Sequence, residues 1–281
     1  MYRRFILAVA VLSTILIGTA AFAAPPVTKV TWLGHSAFKV VTPAGKVLFL
    51  DPWVVNPANK QGAEALAGID KADLVLVTHG HGDHVGNSNE IAAKTGANLV
   101  ATFDLGKAMV RYGGFPEKQF PFATTGNFGG QVRLLDGDVT VAFVPAVHSS
   151  AMEYEGQAGM PKSLAFAGNP GGFVLKVKNG PVIYHTGDTD VFADMAFIPG
   201  YFGRVDLMLT CIGDKFTMGP RGAAQAVRIV KPAVAIPMHY GTFPVLTGTP
   251  EAFRTELKKV GAKAALKVMQ VGETLDWPKK Q

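Results

Sequence analysis

The sequence predicts an α/β (α+β) protein in which mixed sheets, covered by helices, form two pseudo-equivalent halves packed sheet against sheet. Three observations carry this. One order of elements (hairpin, aspartate, short apolar strand, loop, helix, strand) occurs twice between Val30 and His239. Two short apolar runs, DLVLV at 73–77 and DLMLT at 206–210, have the character of buried strands. Hydrophobic residues make up 48% of the 281 positions and charged ones 17%, enough for a sizeable core and against global disorder. The 32 glycines favour tight turns and loops over long helices.

In the first half, Val30 to Val41 reads as a strand, Thr42-Pro43-Ala44-Gly45 as a turn, and Lys46 to Leu50 as the partner strand ending in Asp51-Pro52. Asp73 to Val77 runs into the loop Thr78 to His84. A helix follows over Ser88 to Thr95, closed by Gly96 beyond its last turn, and then a strand over Asn98 to Thr102. In the second half, Gly172 to Val177 and Pro181 to His185 flank the hairpin turn Lys178-Asn179-Gly180 and lead to Asp188. Asp206 to Thr210, a glycine-containing loop over Ile212 to Pro220, a helix from Gly222 to Val230 and a strand from Ala233 to Pro237 follow, ending at His239. Between the halves, Gln131 to Leu135 and Val139 to Val147 form a hairpin that delivers His148.

The N-terminus reads as a secretory signal peptide. Arg3 and Arg4 give a positive start, Phe5 to Ile17 is apolar but for Ser13 and Thr14, and Ala21-Phe22-Ala23 matches a small-x-small cleavage site. Residues 1–23 are thus assigned to export and 24–281 to one folded domain, periplasmic or secreted. An uncleaved membrane anchor is the alternative. The formal charge of +6 includes Arg3 and Arg4. The remainder is spread out, without the basic-aromatic interleaving of single-strand binders, so no nucleic acid partner is expected. The lone Cys211 excludes an intrachain disulfide. Walker-type and dinucleotide glycine motifs are absent.

The chemistry concentrates in His79-x-His81-x-Asp83-His84. His79 and His81, one residue apart, can approach one ion from a compact loop. Asp83 and His84 can serve a second ion a few ångströms away, with Gly80 and Gly82 allowing sharp backbone turns. Nitrogen and carboxylate donors suit zinc, with manganese, nickel or iron as substitutes. Such a loop needs distant donors to complete its shells, and His148, Asp188 and His239 all stand at predicted strand ends.

HGHGDH after an apolar strand resembles the signature of the metallo-β-lactamase fold superfamily. Within it, the chain is similar to the lactonase-like group of metal-dependent hydrolases. The matching stretches are WLGHSAFKV, LDPW, ADLVLVTHGHGDHVGN, PAVHSS, GGFVLKV, IYHTGDTDVF, IGDKFTMGP and IPMHYGTFP, in order from Trp32 to Pro244. The resemblance implies a four-layer αββα sandwich with the metal site at one edge. It implies one ion held by His79, His81 and His148, a second by Asp83, His84 and His239, and a bridging Asp188. Asp51 matches the aspartate that supports the metal loop from behind. Three positions depart from the pattern of the lactonase-like group: Cys211 replaces a proline, Gly241 an asparagine after His-Tyr, and Lys215 an asparagine after Gly-Asp. Cys211 reads as a buried core thiol.

The expected chemistry is hydrolysis of a small ester, lactone or phosphoester by metal-activated hydroxide, with Asp83 and Asp188 as the catalytic carboxylates. His35 is open between substrate contact and a structural role, whereas His185, beside the Asp188 loop, reads as structural rather than as a substrate contact. β-Lactamase-type amide hydrolysis and a non-catalytic periplasmic metal-binding protein are the competing readings. His81 argues against a di-iron redox centre, since redox members of the superfamily carry glutamate there. The loops Asn56 to Ile69, Phe115 to Gly130 and Glu153 to Pro170 are expected to set substrate choice, the last as a lid.

Overall fold

The computed structural model describes residues 27–155 and 161–278. The signal-peptide reading of residues 1–23 lies outside them. The strands are β1 (Thr28–Trp32), β2 (Phe38–Val41), β3 (Val47–Leu50), β4 (Leu74–Leu76), β5 (Asn98–Thr102), β6 (Thr125–Gly126), β7 (Gln131–Leu134), β8 (Val139–Pro145), β9 (Ala151–Tyr154), β10 (Ser163–Phe166), β11 (Gly171–Val177), β12 (Val182–His185), β13 (Leu207–Cys211), β14 (Val234–Met238), β15 (Ala265–Leu266) and β16 (Thr274–Trp277). The helices are α1 (Gly62–Ala67), α2 (Gly82–Val85), α3 (Ser88–Thr95), α4 (Phe103–Gly113), α5 (Ile198–Phe202), α6 (Pro220–Val230) and α7 (Pro250–Lys259).

Two seven-stranded sheets result, ordered β16-β1-β2-β3-β4-β5-β6 and β7-β8-β11-β12-β13-β14-β15. Read in those directions, each sheet has three antiparallel pairings followed by three parallel ones. β3, β4 and β5 therefore correspond to β12, β13 and β14, which is the internal duplication read from the sequence.

Side-chain alternation builds the layers. Leu48, Leu50, Leu74, Leu76 and Val100 enter a core shared with Val141, Phe143, Val174 and Ile183 of the opposite sheet. Their neighbours Phe49, Val75, Val77, Leu99 and Ala101 turn outward onto Ile91, Leu105 and Met109 of α3 and α4. The short strands are apolar throughout because both faces are covered. Ala223, Ala224 and Val227 of α6 and Phe253 and Leu257 of α7 join the first core, so helices flank both sheets.

Several sequence expectations change. The single strand over Val30–Val41 is two strands, paired antiparallel across the turn at Gly34-His35-Ser36. That turn needs positive φ (93° at Gly34, 50° at His35), which a continuous strand cannot supply. Glu153–Pro170 is not all loop: β9 and β10 pair as an antiparallel hairpin, and only 156–160 fall outside the described residues. Asn56–Ile69 carries α1, and α4 and α7 had no sequence assignment. Among the described residues no helix is long and apolar enough to cross a membrane.

Candidate metal centre

The ends of β3, β4, β8, β12 and β14 open onto one edge, and each is followed by a candidate donor: Asp51, the Thr78–His84 segment, His148, Asp188 and His239. Three residues of this edge hold φ values rare for L residues, His35 (50°), Asp51 (41°) and His239 (58°). Backbone bonds hold them there: His239 N–H donates to His35 C=O at 3.0 Å, and Asp51 N–H to Leu76 C=O at 2.9 Å. Such strain persists only where its surroundings over-determine it.

The glycines of the loop work differently from the sequence reading. Neither Gly80 nor Gly82 takes positive φ. A Cβ on Gly80 would collide with Ala167, whereas one on Gly82 would meet nothing within 4 Å. Close packing dictates Gly80, and its N–H donates to Ser150 Oγ at 3.1 Å. Gly82 opens α2, whose first turn carries Asp83 and His84.

All seven proposed donors meet. His79 Nε2 lies 2.9 Å from His81 Nδ1, and His148 Nε2 lies 3.3 Å from that same atom. A tetrahedral ion with bonds of about 2.0–2.1 Å would set its nitrogens about 3.3 Å apart. Asp188 divides its oxygens: Oδ1 is 3.2 Å from His84 Nε2, while Oδ2 is 2.9 Å from His239 Nε2 and 3.7 Å from His148 Nε2. His239 Nε2 is also 3.7 Å from Asp83 Oδ2. The donor atoms fall into three overlapping groups, each within 4.8 Å: His79, His81, His148; His79, His84, Asp188; and His35, Asp83, His84, His239.

Asp51 fixes the tautomers. Its Oδ2 accepts from Thr78 Oγ1 and from His84 Nδ1, both at 2.7 Å, and its Oδ1 from Thr78 N–H at 2.8 Å. With its proton given to Asp51, Thr78 Oγ1 accepts from His79 Nδ1 at 3.0 Å. Both Nδ1 atoms thus carry protons, and the Nε2 lone pairs of His79 and His84 face the cluster. His84 Nε2 and Asp188 Oδ1 are buried and face each other without forming a hydrogen bond. A lone pair and a carboxylate oxygen in that relation call for a cation between them.

The protonation equilibria agree. Burial holds His79, His81 and His148 below their ordinary range, hence neutral. Burial works against protonation of His84 too, but Asp188, Asp51 and Asp83 outweigh it and hold its pKa well above normal. His239 rises to about 9, because Asp188 overcomes the effect of burial. Burial opposes ionisation of Asp188 and Asp83, yet the neighbouring histidines hold both well below the usual carboxylate range. The donors present fit one or more divalent ions.

The two remaining histidines are committed elsewhere. His35 is fully buried, its Nε2 donating to Asp83 Oδ2 at 3.0 Å and its Nδ1 accepting from Thr242 Oγ1 at 2.8 Å. Burial lowers its pKa to about 4, so it orients Asp83 as a neutral ring. His185 Nε2 donates to Ser36 C=O at 3.0 Å, and its Nδ1 accepts from Gly187 N–H at 3.1 Å. It pins the end of β12 to the His35 turn. Cys211 is buried outside every donor group, and burial raises its thiol to about 12.

Sequence reasoning missed Thr78 and Thr242. Thr78 adjoins the histidine loop, which was a usable signal; Thr242 carried none. It also missed the cavity wall. A cavity of about 390 Å³ opens over the cluster, lined by His81, Asp83, His148, Ser149, Asp188 and His239 together with Phe216, Phe243 and Leu246. An apolar cavity of about 280 Å³, beside Phe197 and Tyr201, lies away from these donors.

Residues 44–240 match a family model described as the beta-lactamase superfamily domain. The chain is 56% identical to a UPF0173 metal-dependent hydrolase of Thermodesulfovibrio yellowstonii over 93% of its own length and 95% of that protein's. It is 50% identical to another from Anaeromyxobacter dehalogenans, over 88% and 85%. Among solved structures it is similar to Igni18, a metallo hydrolase from the hyperthermophilic archaeon Ignicoccus hospitalis. That match has a TM-score of 0.76 and 34% identity, covering 90% of this chain and all of that one.

Proposed function

This chain belongs to the metallo-β-lactamase superfamily, in its UPF0173 group of metal-dependent hydrolases, and we propose that it hydrolyses a small ester, lactone or phosphoester with two divalent ions, zinc foremost. The observation that carries this is the facing pair His84 Nε2 and Asp188 Oδ1, buried, unbonded and flanked by five further donors. His79, His81 and His148 would hold one ion, and Asp83, His84 and His239 the other. Asp188 would serve both, since it lies against histidines of each set: its Oδ2 is 3.7 Å from His148 Nε2 and 2.9 Å from His239 Nε2, and it shares a donor group with His79 and His84. Bound divalent ions would supply Lewis acidity, bringing the pKa of a water towards about 7 and polarising the oxygen under attack.

The chain's own groups have separate tasks. Asp83 is the most open of the carboxylates, its side chain 28% exposed to the cavity, so it is placed to accept or steer the proton of attacking water. His35 fixes Asp83 through a neutral N–H, and Thr242 fixes His35. Asp51, with Thr78, holds the Nε2 lone pairs of His79 and His84 on the cluster. We further propose export through the N-terminal segment, on the charge and hydrophobicity pattern of residues 1–23.

Elemental mass spectrometry of the purified protein, with the variants His79→Ala and Asp188→Ala, tests the reading. About two equivalents of zinc or manganese, reduced in both variants, together with metal-dependent turnover in an ester, lactone and phosphoester screen, are expected. No stoichiometric metal after reconstitution overturns it.

A further inference from the structure

Resting on the hydrolase reading, we propose that the substrate is an uncharged acyl compound, an ester or lactone, whose apolar arm lies on the wall formed by Phe216, Phe243 and Leu246. Three features of the cavity support this choice over a phosphoester.

The first is its lining. Beside the donor cluster, the cavity is lined by Phe216, Phe243 and Leu246, and among the described residues no lysine or arginine lines it. An anionic substrate is ordinarily received by cationic or N–H-rich walls. Among the described residues the adjoining cavity of about 650 Å³, which shares His81 and Ser149 with it, has no lysine or arginine in its lining either; it carries Glu153, which repels anions. The second is exposure. Phe216 is 57% and Phe243 39% exposed, a water-facing apolar surface directly beside the reacting groups. Filling it with a methylene chain removes that surface from water, at about 0.8 kcal/mol or roughly fourfold in affinity per group.

The third is rigidity. Phe216 sits on the loop after β13, and Phe243 and Leu246 on the loop after β14. The two loops are tied where Gly248 N–H donates to Gly213 C=O at 3.2 Å. They approach so closely there that a Cβ on Gly248 would collide with the Ile212 carbonyl. Trp53 stacks on Phe243 with ring centroids 5.8 Å apart. Lys215, the nearest cation of the loop, is engaged with the Phe216 ring, 5.4 Å from its centroid. A volume of about 390 Å³ matches a small molecule, within the roughly 300–1,000 Å³ usual for ligand sites.

The test uses zinc-loaded protein and two readouts. The first is kcat/KM for p-nitrophenyl acetate, butyrate and hexanoate, and for p-nitrophenyl phosphate and its bis-ester. A rise of about three- to fourfold per added methylene is expected, with the phosphates at least tenfold poorer than the hexanoate. Phe216→Ala and Phe243→Ala should flatten the chain-length slope, and Tyr201→Ala should leave it intact. The second readout, calorimetric binding of octan-2-one, needs no turnover; binding at least fivefold weaker in Phe243→Ala is expected. Turnover without chain-length dependence, phosphates preferred, or ketone binding indifferent to both phenylalanines each overturns the proposal while leaving the hydrolase reading in place. Ketone binding that depends on Phe243, with every ester and phosphate inert, overturns the hydrolase reading and supports the apolar subsite alone.

Discussion

Replacing Asp51 with asparagine changes no side chain that faces the cavity, yet it should weaken metal binding 10- to 100-fold. The carboxylate accepts three hydrogen bonds, two from Thr78 and one from His84 Nδ1 at 2.7 Å. An asparagine with its oxygen towards Thr78 N–H turns its NH2 group towards His84. Two donors then oppose each other in a site without water access. His84 can respond by moving its proton to Nε2, which removes the lone pair aimed at Asp188 Oδ1. Otherwise it leaves a buried donor unsatisfied, at about 1–3 kcal/mol. Either route corresponds to one to two decades in metal affinity, the range found when partners behind metal-bound histidines are removed. The same defect should lower the melting temperature of the metal-loaded protein by about 2–12 °C, at 2–4 °C per kcal/mol for a domain of this size. Competition with a chromophoric chelator measures the affinity and calorimetry the melting. A folded Asp51→Asn protein that binds zinc within threefold of wild type would refute the reasoning.

Other perturbations separate structural from metal-facing roles. His185→Ala strands Ser36 C=O and Gly187 N–H, so it should destabilise the fold by about 2–4 kcal/mol at unchanged metal stoichiometry; loss of one metal equivalent would count against this. Gly86→Ala should destabilise by about 3 kcal/mol, because φ is +43° and the new Cβ collides with the Trp53 backbone. Gly82→Ala, with open space, should change stability by less than about 1 kcal/mol. Urea midpoints that move equally in the two glycine variants would sink that contrast. The Cys211 thiol is raised by burial from about 9 to about 12, so its contribution is complete below pH 9 and lost as pH rises towards 12. It amounts to at most roughly 4 kcal/mol. Wild type should lose stability between pH 9 and 11 relative to Cys211→Ala; parallel pH profiles would refute it.

The chain itself specified much of this molecule. Short all-apolar strands mean two covered faces, and the repeated hairpin-strand-helix order meant two like halves, because alternation and turn chemistry are local properties. His79, His81, Asp83 and His84 were legible as a group since they share one loop, and His148, Asp188 and His239 since each stands where a strand stops. The sequence favoured a structural role for His185 and left His35 open, but it named no partner for either. His35 reaches Asp83 across 48 positions and Thr242 across 207, while His185 is absorbed by the backbone of Ser36 across 149. The demand on Gly80 came from Ala167, on the segment after β10, and not from its own φ. The apolar wall of Phe216, Phe243 and Leu246 was equally hidden, because it exists only where two loops are brought together through Gly213 and Gly248. Local pattern determines which elements form and which donors they carry. Which nitrogen holds a proton, which carboxylate oxygen meets which ring and what lines the cavity are decided by contacts between residues far apart in the chain, and these exist only once the two sheets have packed.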